Sequence, residues 1–380
     1  MLALGVLAQA AGTLVVATPA YLIPLLHLQQ GVPLPQVGLL VAAPTVGLVL
    51  TLVAWGALAD RVGERWVIAG GLALAAVLTA LAAAAGGLVA TGLLLLVAGG
   101  ATGSCNAASG RVVVGWFPSR RRGLAMGIRQ MSQPLGVAVA ALVVPPLAQA
   151  GGVGLPLAVG AAATGALAFA CAAGITDPPR PPRSVLVAGI SPYRRDRFLL
   201  RVHLVSVLLV VPQFTLSTFG LVWLIADLRW TATAAGVVVA VAQLAGAGGR
   251  IVVGSLSDRF GRMLLLRLVA VAGVVALLLV AATGAVGWAL PAAVLLVIAT
   301  TVSVADNGLA FTSVAEAAGP AWSGRALGVQ NTGQFLAASA VAPGVGALVA
   351  LVGYPVAFAL VAIAPLAALP LVPKADVHAG

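Results

Sequence analysis

Long apolar runs alternate along this chain with short stretches rich in glycine, proline and charge. One such stretch, "GALADRVGER" at 56–65, sets Asp60, Arg61, Glu64 and Arg65 directly after an apolar run. Runs of about 20 apolar residues match the hydrocarbon thickness of a bilayer. Marked off this way, the sequence predicts spanning helices over 2–26, 36–59, 66–86, 90–116, 123–148 and 154–175. A second set covers 198–224, 233–257, 264–285, 288–316, 325–350 and 353–372. The longest polar interruption is 176–197, "TDPPRPPRSVLVAGISPYRRDR", basic and proline-rich, which divides the twelve spans six and six. The opening run has no basic stretch before it and is as long as a bilayer is thick. It reads as a spanning helix rather than a cleaved signal peptide.

Composition agrees: 61% of residues are hydrophobic and 8% charged, where soluble domains carry about a quarter charged. The mean hydropathy is +1.13. So few polar groups cannot cover a soluble surface, and lipid is the expected solvent. The net charge of +11 does not point to nucleic acid, because the arginines sit in short loops between apolar runs. Loops 2–3, 4–5, 6–7, 8–9 and 10–11, with their flanking turns, hold fifteen of them, and the alternate loops hold only Arg229. That asymmetry places both termini in the cytoplasm. Lys374 is the only lysine, a bias that suggests a GC-rich bacterial genome and hence a bacterial inner membrane. Cys105 and Cys171 fall within apolar runs, which argues against a disulfide or metal site. No nucleophile–base pair, metal-ligand set or nucleotide-binding loop is legible, so neither an enzyme nor a cofactor is expected.

The chain repeats itself. A shift of 198 residues lays Gly56, Leu58, Asp60, Arg61 and Gly63 onto Gly254, Leu256, Asp258, Arg259 and Gly261. A shift of 201 brings Asn106 to Asn307 and Gln133 to Gln334. The expectation is an all-α integral membrane protein of 12 transmembrane helices, in two parallel six-helix bundles around a central cavity. The bundles are 1–175 and 198–380, joined by the cytoplasmic linker 176–197. "GALADRVGER" and "GSLSDRFGR", following spans two and eight, resemble the cytoplasmic loop signature of the major facilitator superfamily. That resemblance implies secondary active transport by a monomer. It also implies a cytoplasmic gate of charge pairs that hold in one state and break in the other. The gate candidates are Asp60 with Arg325, and Asp258 with Arg121 or Arg122, together with Arg61, Arg259 and Glu316. The alternative is that these charges only anchor topology. Gly56 and Gly254 are expected to let neighbouring helices approach, and Gly63 and Gly261 to form tight turns.

Ionisable groups inside spans are functional candidates by default. Arg250, one turn before Gly254 in "GRIVVGSLSDR", is similar in placement to the anion-binding arginine of monocarboxylate, oxalate/formate and nitrate/nitrite porters. A guanidinium grips a carboxylate with two parallel hydrogen bonds. The alternative is an arginine reaching for the interface. The sequence also departs from those porters: Leu52 is the repeat partner of Arg250, and Gly246 stands where mammalian-type monocarboxylate porters carry an aspartate. Arg129, Gln130 and Gln133 in "GIRQMSQPLG" and Gln330, Asn331 and Gln334 in "GVQNTGQFLA" offer a substrate hydrogen-bonding groups, or bond one another as helix–helix glue. Asn307 joins them, with Gln213 and Gln243 of lower rank. Tyr21 and Phe219 are repeat partners, either cavity-lining or packing. Asp306, the only acid well inside a span, is the proton-coupling candidate, or else a permanent partner for Arg111 or Arg129. His27 and His203, near span ends, read as interfacial. Together these residues favour transport of a small organic anion, with a carboxylate as the expected class, with protons or by exchange. The alternative is an exporter of drugs or amphipathic metabolites, weakened because Gly99 stands where proton-driven exporters carry an arginine.

Overall fold

The computed structural model describes residues 1–116, 128–177, 192–194, 197–319 and 322–376; the side chains at 60, 110–116, 194, 258, 323 and 324 lie outside that description. Among the described residues every regular element is helical. In chain order they are α1 (Leu2–Tyr21), α2 (Leu34–Val62), α3 (Glu64–Ala84), α4 (Leu88–Trp116), α5 (Ser132–Gly151) and α6 (Gly154–Gly174). There follow α7 (Phe198–Ala226), α8 (Ala232–Phe260), α9 (Arg262–Val286), α10 (Ala289–Ser303), α11 (Asp306–Ala318), α12 (Ser323–Val361) and α13 (Ile363–Ala368). Among the described residues eleven stretches are long and apolar enough to cross a membrane.

Two boundaries differ from the periodic reading. The expected span 288–316 is broken in two, because Val304 and Ala305 form a turn between α10 and α11. Where spans eleven and twelve were expected to part, one helix runs on from Ser323 to Val361, and only Gly353 leaves helical geometry, at φ 76.

Contacts divide the chain into two compact units. The first comprises Met1–Arg180 with Thr231–Ala240 and Ala342–Gly346; the second comprises Pro181–Trp230, Val241–Val341 and Ala347–Gly380. In the first, α3 packs on α4 and α6, α2 on α4, and α1 on α5 and α6. Its core gathers Ile68, Leu72, Cys105 and Cys171, all buried. The second unit buries Val202, Val205, Leu266, Leu309 and Val314 between α7, α9 and α11. Large apolar side chains such as Val53, Phe169 and Leu351 point outward and exposed. In water these would be a liability. Facing lipid they cost nothing, but lipid also removes the hydrophobic drive for helices to associate, leaving close packing to hold them.

Small residues supply that packing. At Gly47 a Cβ would stand 1.7 Å from the backbone oxygen of Leu96, so α2 and α4 meet backbone to backbone. Nothing among the described residues lies within 4 Å of where the Cβ atoms of Gly56 and Gly254 would stand.

Candidate functional site

The turn at Val304–Ala305 shapes the site of the second unit. Breaking a helix strands backbone carbonyls that the next turn would have satisfied. Arg250, half-buried on α8, answers one of them, its Nε donating to the Val304 oxygen at 3.2 Å. One helical turn earlier, Gly246 lies so near that a Cβ would come 2.8 Å from the Val304 side chain. The break therefore seats itself against glycine and arginine of one helix. Asp306 opens α11 just beyond it, 1% exposed. Among the described residues no side-chain hydrogen bond reaches either of its carboxylate oxygens, and the charge of Arg250 acts on it. Asp306 and the Arg250 charge that acts on it thus belong to the α10–α11 break and to α8. The Arg111 side chain lies outside the described residues.

Next to Asp306 begins an amide cluster. Asn307 donates Nδ2 to Gln213 Oε1 at 2.9 Å. Gln334 donates Nε2 to Asn307 Oδ1 at 2.9 Å and to Ser206 Oγ at 2.5 Å. These three helices thus satisfy one another's amides in the bound geometry expected of glue, with every donor also able to serve a ligand. Asn331 is half-buried beside them on α12. Gln243 donates to Ser217 at 3.1 Å. Phe219 is fully buried in α7.

His203 departs from its interfacial reading. It is buried, its Nδ1 lying 2.5 Å from Gln330 Oε1 and its Nε2 2.9 Å from Tyr193 Oη. An amide oxygen can only accept, so Nδ1 carries the proton and Tyr193 donates to Nε2. Tyr193 belongs to the short 3-10 turn Pro192–Arg194 of the expected linker, and burial pushes its phenol above its ordinary value. His27 is half-buried, with Nδ1 2.9 Å from the Val32 oxygen.

The first unit holds a separate polar cluster. Arg129 donates Nε to Ser109 Oγ at 2.9 Å and its terminal nitrogen to the Asn106 carbonyl at 3.2 Å. Gln9 closes the ring, donating to Asn106 Oδ1 at 3.0 Å and accepting from Ser109 at 3.2 Å. Ser109 and Arg129 line a small cleft with Met1, Leu2, Gly5, Val6 and Ile175. Gln130 and Gln133 are half-buried on the same helical stretch, and Tyr21 is buried at the end of α1. Gln9 and Ser109 were not singled out in the sequence. Gln9 carried a signal, a lone amide in an apolar run; Ser109 carried none, since a hydroxyl within a helix ordinarily bonds its own backbone.

The gate candidates are only partly within view. Arg121 and Arg122, and the side chains of Asp60 and Asp258, lie outside the described residues. Arg61 and Arg259 are exposed. Arg325 is exposed and lies over the Trp322 ring, 4.9 Å from its centroid. Glu316 forms an ion pair with Arg262, a residue absent from the expected gate.

Comparison with known proteins supplies the family. A model described as Major Facilitator Superfamily matches residues 4–343. Curated proteins from two strains of Mycobacterium tuberculosis, each described as an uncharacterized MFS-type transporter, are 48% identical over 361 residues. The match covers 93% of this chain and 80% of each relative. Among solved structures, an inward-facing bacterial homologue of the human lysosomal transporter Spinster superposes with a TM-score of 0.75 at 14% identity, covering 97% of this chain and 93% of that one. The nucleoside transporter NupG superposes equally well, again at 14% identity, over 97% and 99%. At that identity the likeness is one of fold.

Proposed function

Because the chain belongs to the major facilitator superfamily and is a multi-pass membrane transporter, we propose that it carries a small organic anion, a carboxylate, across the bacterial inner membrane by alternating access. The observation that carries this reading is Arg250. Its Nε is engaged by the Val304 carbonyl, and its charge is set against Asp306, a buried acid with no side-chain hydrogen bond. A substrate carboxylate competes with Asp306 for the guanidinium, and protonating Asp306 removes the competitor. Anion and proton then bind together, because each lowers the cost of burying the other.

The aspartate that monocarboxylate-type porters carry at the position of Gly246 has no counterpart there. In this reading Asp306 supplies an acid to the same arginine from across the α10–α11 break. Gln334, Asn307, Asn331 and Phe219 of the second unit and Arg129, Gln133 and Tyr21 of the first are assigned to orient the substrate. The protein works as two six-helix halves, 1–175 and 198–380, with linker 176–197 and both termini in the cytoplasm, as a monomer. Asp60, Arg61, Asp258, Arg259, Arg121, Arg122, Arg325 and Glu316 form its cytoplasmic gate. Efflux of amphipathic compounds has no such observation behind it.

Uptake of a panel of labelled carboxylates into proteoliposomes, with and without an inwardly directed proton gradient, tests the proposal. Accumulation of at least one of them, enhanced by the gradient, is expected. Absence of uptake across the panel, alongside efflux of hydrophobic cations, would overturn it.

A further inference from the structure

Each signature turn is met by a carboxylate that the signature does not contain. In the first unit the turn ends at Gly63, φ +106, and α3 begins at the next residue. Asp177, three residues past the end of α6, accepts the Arg65 backbone N–H on Oδ1 at 2.7 Å. Its other oxygen lies against Gly63 so closely that a Cβ there would stand 2.2 Å away. In the second unit the turn ends at Gly261, φ +86, and α9 begins at the next residue. Asp376, beyond α13, accepts the Arg262 N–H on Oδ2 and the Met263 N–H on Oδ1, both at 3.1 Å. A Cβ at Gly261 would stand 2.7 Å from Oδ2.

The tie runs in both directions. Arg65 donates Nε to the Ala172 carbonyl in the last turn of α6, at 2.6 Å. Arg267 donates to the Pro373 carbonyl, also at 2.6 Å. In both units an anion therefore meets the amino end of the third helix, and in the first a cation also meets the carbonyl end of α6, the arrangement that helix dipoles favour. Asp177 and Asp376 are 199 residues apart, one more than the shift that relates the signature turns, so they do not align in the repeat. Arg65 does fall on Met263 under that shift, and each carboxylate accepts this equivalent amide, two residues past the glycine.

We propose that Asp177 and Asp376 are positioning residues of the transport cycle. Each fixes the signature turn of its own unit to the end of that unit's last helix, so that turn, third helix and terminus move as one body. The signature aspartates Asp60 and Asp258 each stand three residues before the clamped glycine, so the clamp sets where their charges are presented. This rests on the reading that the signature turns gate the cytoplasmic side, and not on the choice of substrate.

The test needs no substrate. Hydrogen–deuterium exchange is followed by mass spectrometry on the full chain in nanodiscs, for Asp177→Ala and Asp376→Ala. Loss of a charged acceptor is expected to speed exchange about tenfold or more over 64–67 in the first variant and over 262–265 in the second, each leaving the other turn unchanged. Asp→Asn, which keeps one acceptor oxygen, is expected to restore part of the protection and serves where the alanine variant does not fold. Gating is read in the same backgrounds by labelling Ala57→Cys and Ser255→Cys, exposed positions 198 apart, with a membrane-impermeant maleimide from the cytoplasmic side. The native Cys105 and Cys171 are buried. Labelling of the reporter on the helix that leads into the clamped turn is expected to change several-fold. Unchanged local exchange overturns the proposal. So does faster exchange without a change in labelling, which would leave the aspartates as helix caps alone. Failure of the carboxylate panel would touch neither result.

Discussion

Arg250 could be read from the sequence because a charge inside an apolar run stands out against everything around it. What it touches could not. Its carbonyl partner exists only because α10 stops at Ser303, and no proline or glycine in "TVSVADNG" before Asn307 announces that stop. Asp306 was equally conspicuous as a proton-coupling candidate, but the approach of Arg250 to it was not legible, since nothing in a linear sequence shows that α8 passes the break. At this scale the sharpest expectation concerns guanidinium geometry. Arg250→Lys keeps the charge but replaces a planar fork with a point donor. It is expected to raise the KM for the transported carboxylate about tenfold or more, while thermal unfolding in detergent stays close to that of the parent. Uptake with an unaltered KM would take Arg250 out of the binding site.

Helices were the most legible level, because a twenty-residue apolar run in lipid has few structures open to it other than a helix. Their interruptions were the least legible. Gly353 leaves helical geometry within a continuous helix, and Val304–Ala305 breaks one without a sequence marker. Which glycine meets a neighbouring backbone was not legible either: no described atom lies within 4 Å of a Cβ at Gly254, conspicuous in the signature, whereas Gly47, unremarkable in sequence, lies against the backbone of α4. The contrast is testable. Gly47→Ala would force α2 from α4, since the obstacle is a backbone oxygen and not a side chain that can swing away. It is expected to destabilise the protein by about 1–3 kcal/mol, the usual range for overpacking. Gly254→Ala meets no such obstacle and is expected to be neutral or to stabilise by up to about 1 kcal/mol through helix propensity. Unfolding midpoints of the two variants in one detergent check both, and equal loss in each would show that the α2–α4 approach is not what the glycine serves.

For the molecule as a whole, the repeat was legible wherever it is written in side chains, as at Asp60 and Asp258, and illegible where it is written in geometry, as at Asp177 and Asp376. The two polar clusters show the same division. Asn106 and Asn307 align in sequence, but one accepts from Gln9 and the other donates to Gln213, and neither glutamine occupies the repeat position of the other. The halves are therefore alike in frame and unlike in chemistry: among the described residues Arg129 of the first unit donates to Ser109 and to the Asn106 carbonyl, whereas Arg250 of the second is set against the buried acid Asp306. That asymmetry gives proton coupling one place to reside. A buried carboxylate with no side-chain hydrogen bond is costly when charged, and in the proposed cycle it crosses neutral, carrying its proton with the substrate anion. Asp306→Asn imitates the protonated state permanently. It is expected to keep exchange of labelled for unlabelled substrate within about threefold of the parent, since anion binding at Arg250 is retained. Accumulation driven by a pH gradient is expected to vanish, since no proton is released to complete the cycle. Both are measured in the same proteoliposomes, with external pH set below internal pH and then equalised. A variant that still concentrates its substrate when the gradient is imposed would show that Asp306 is a fixed counter-charge for Arg250, and that the coupling proton travels elsewhere, with His203 between Tyr193 and Gln330 as the next group to substitute.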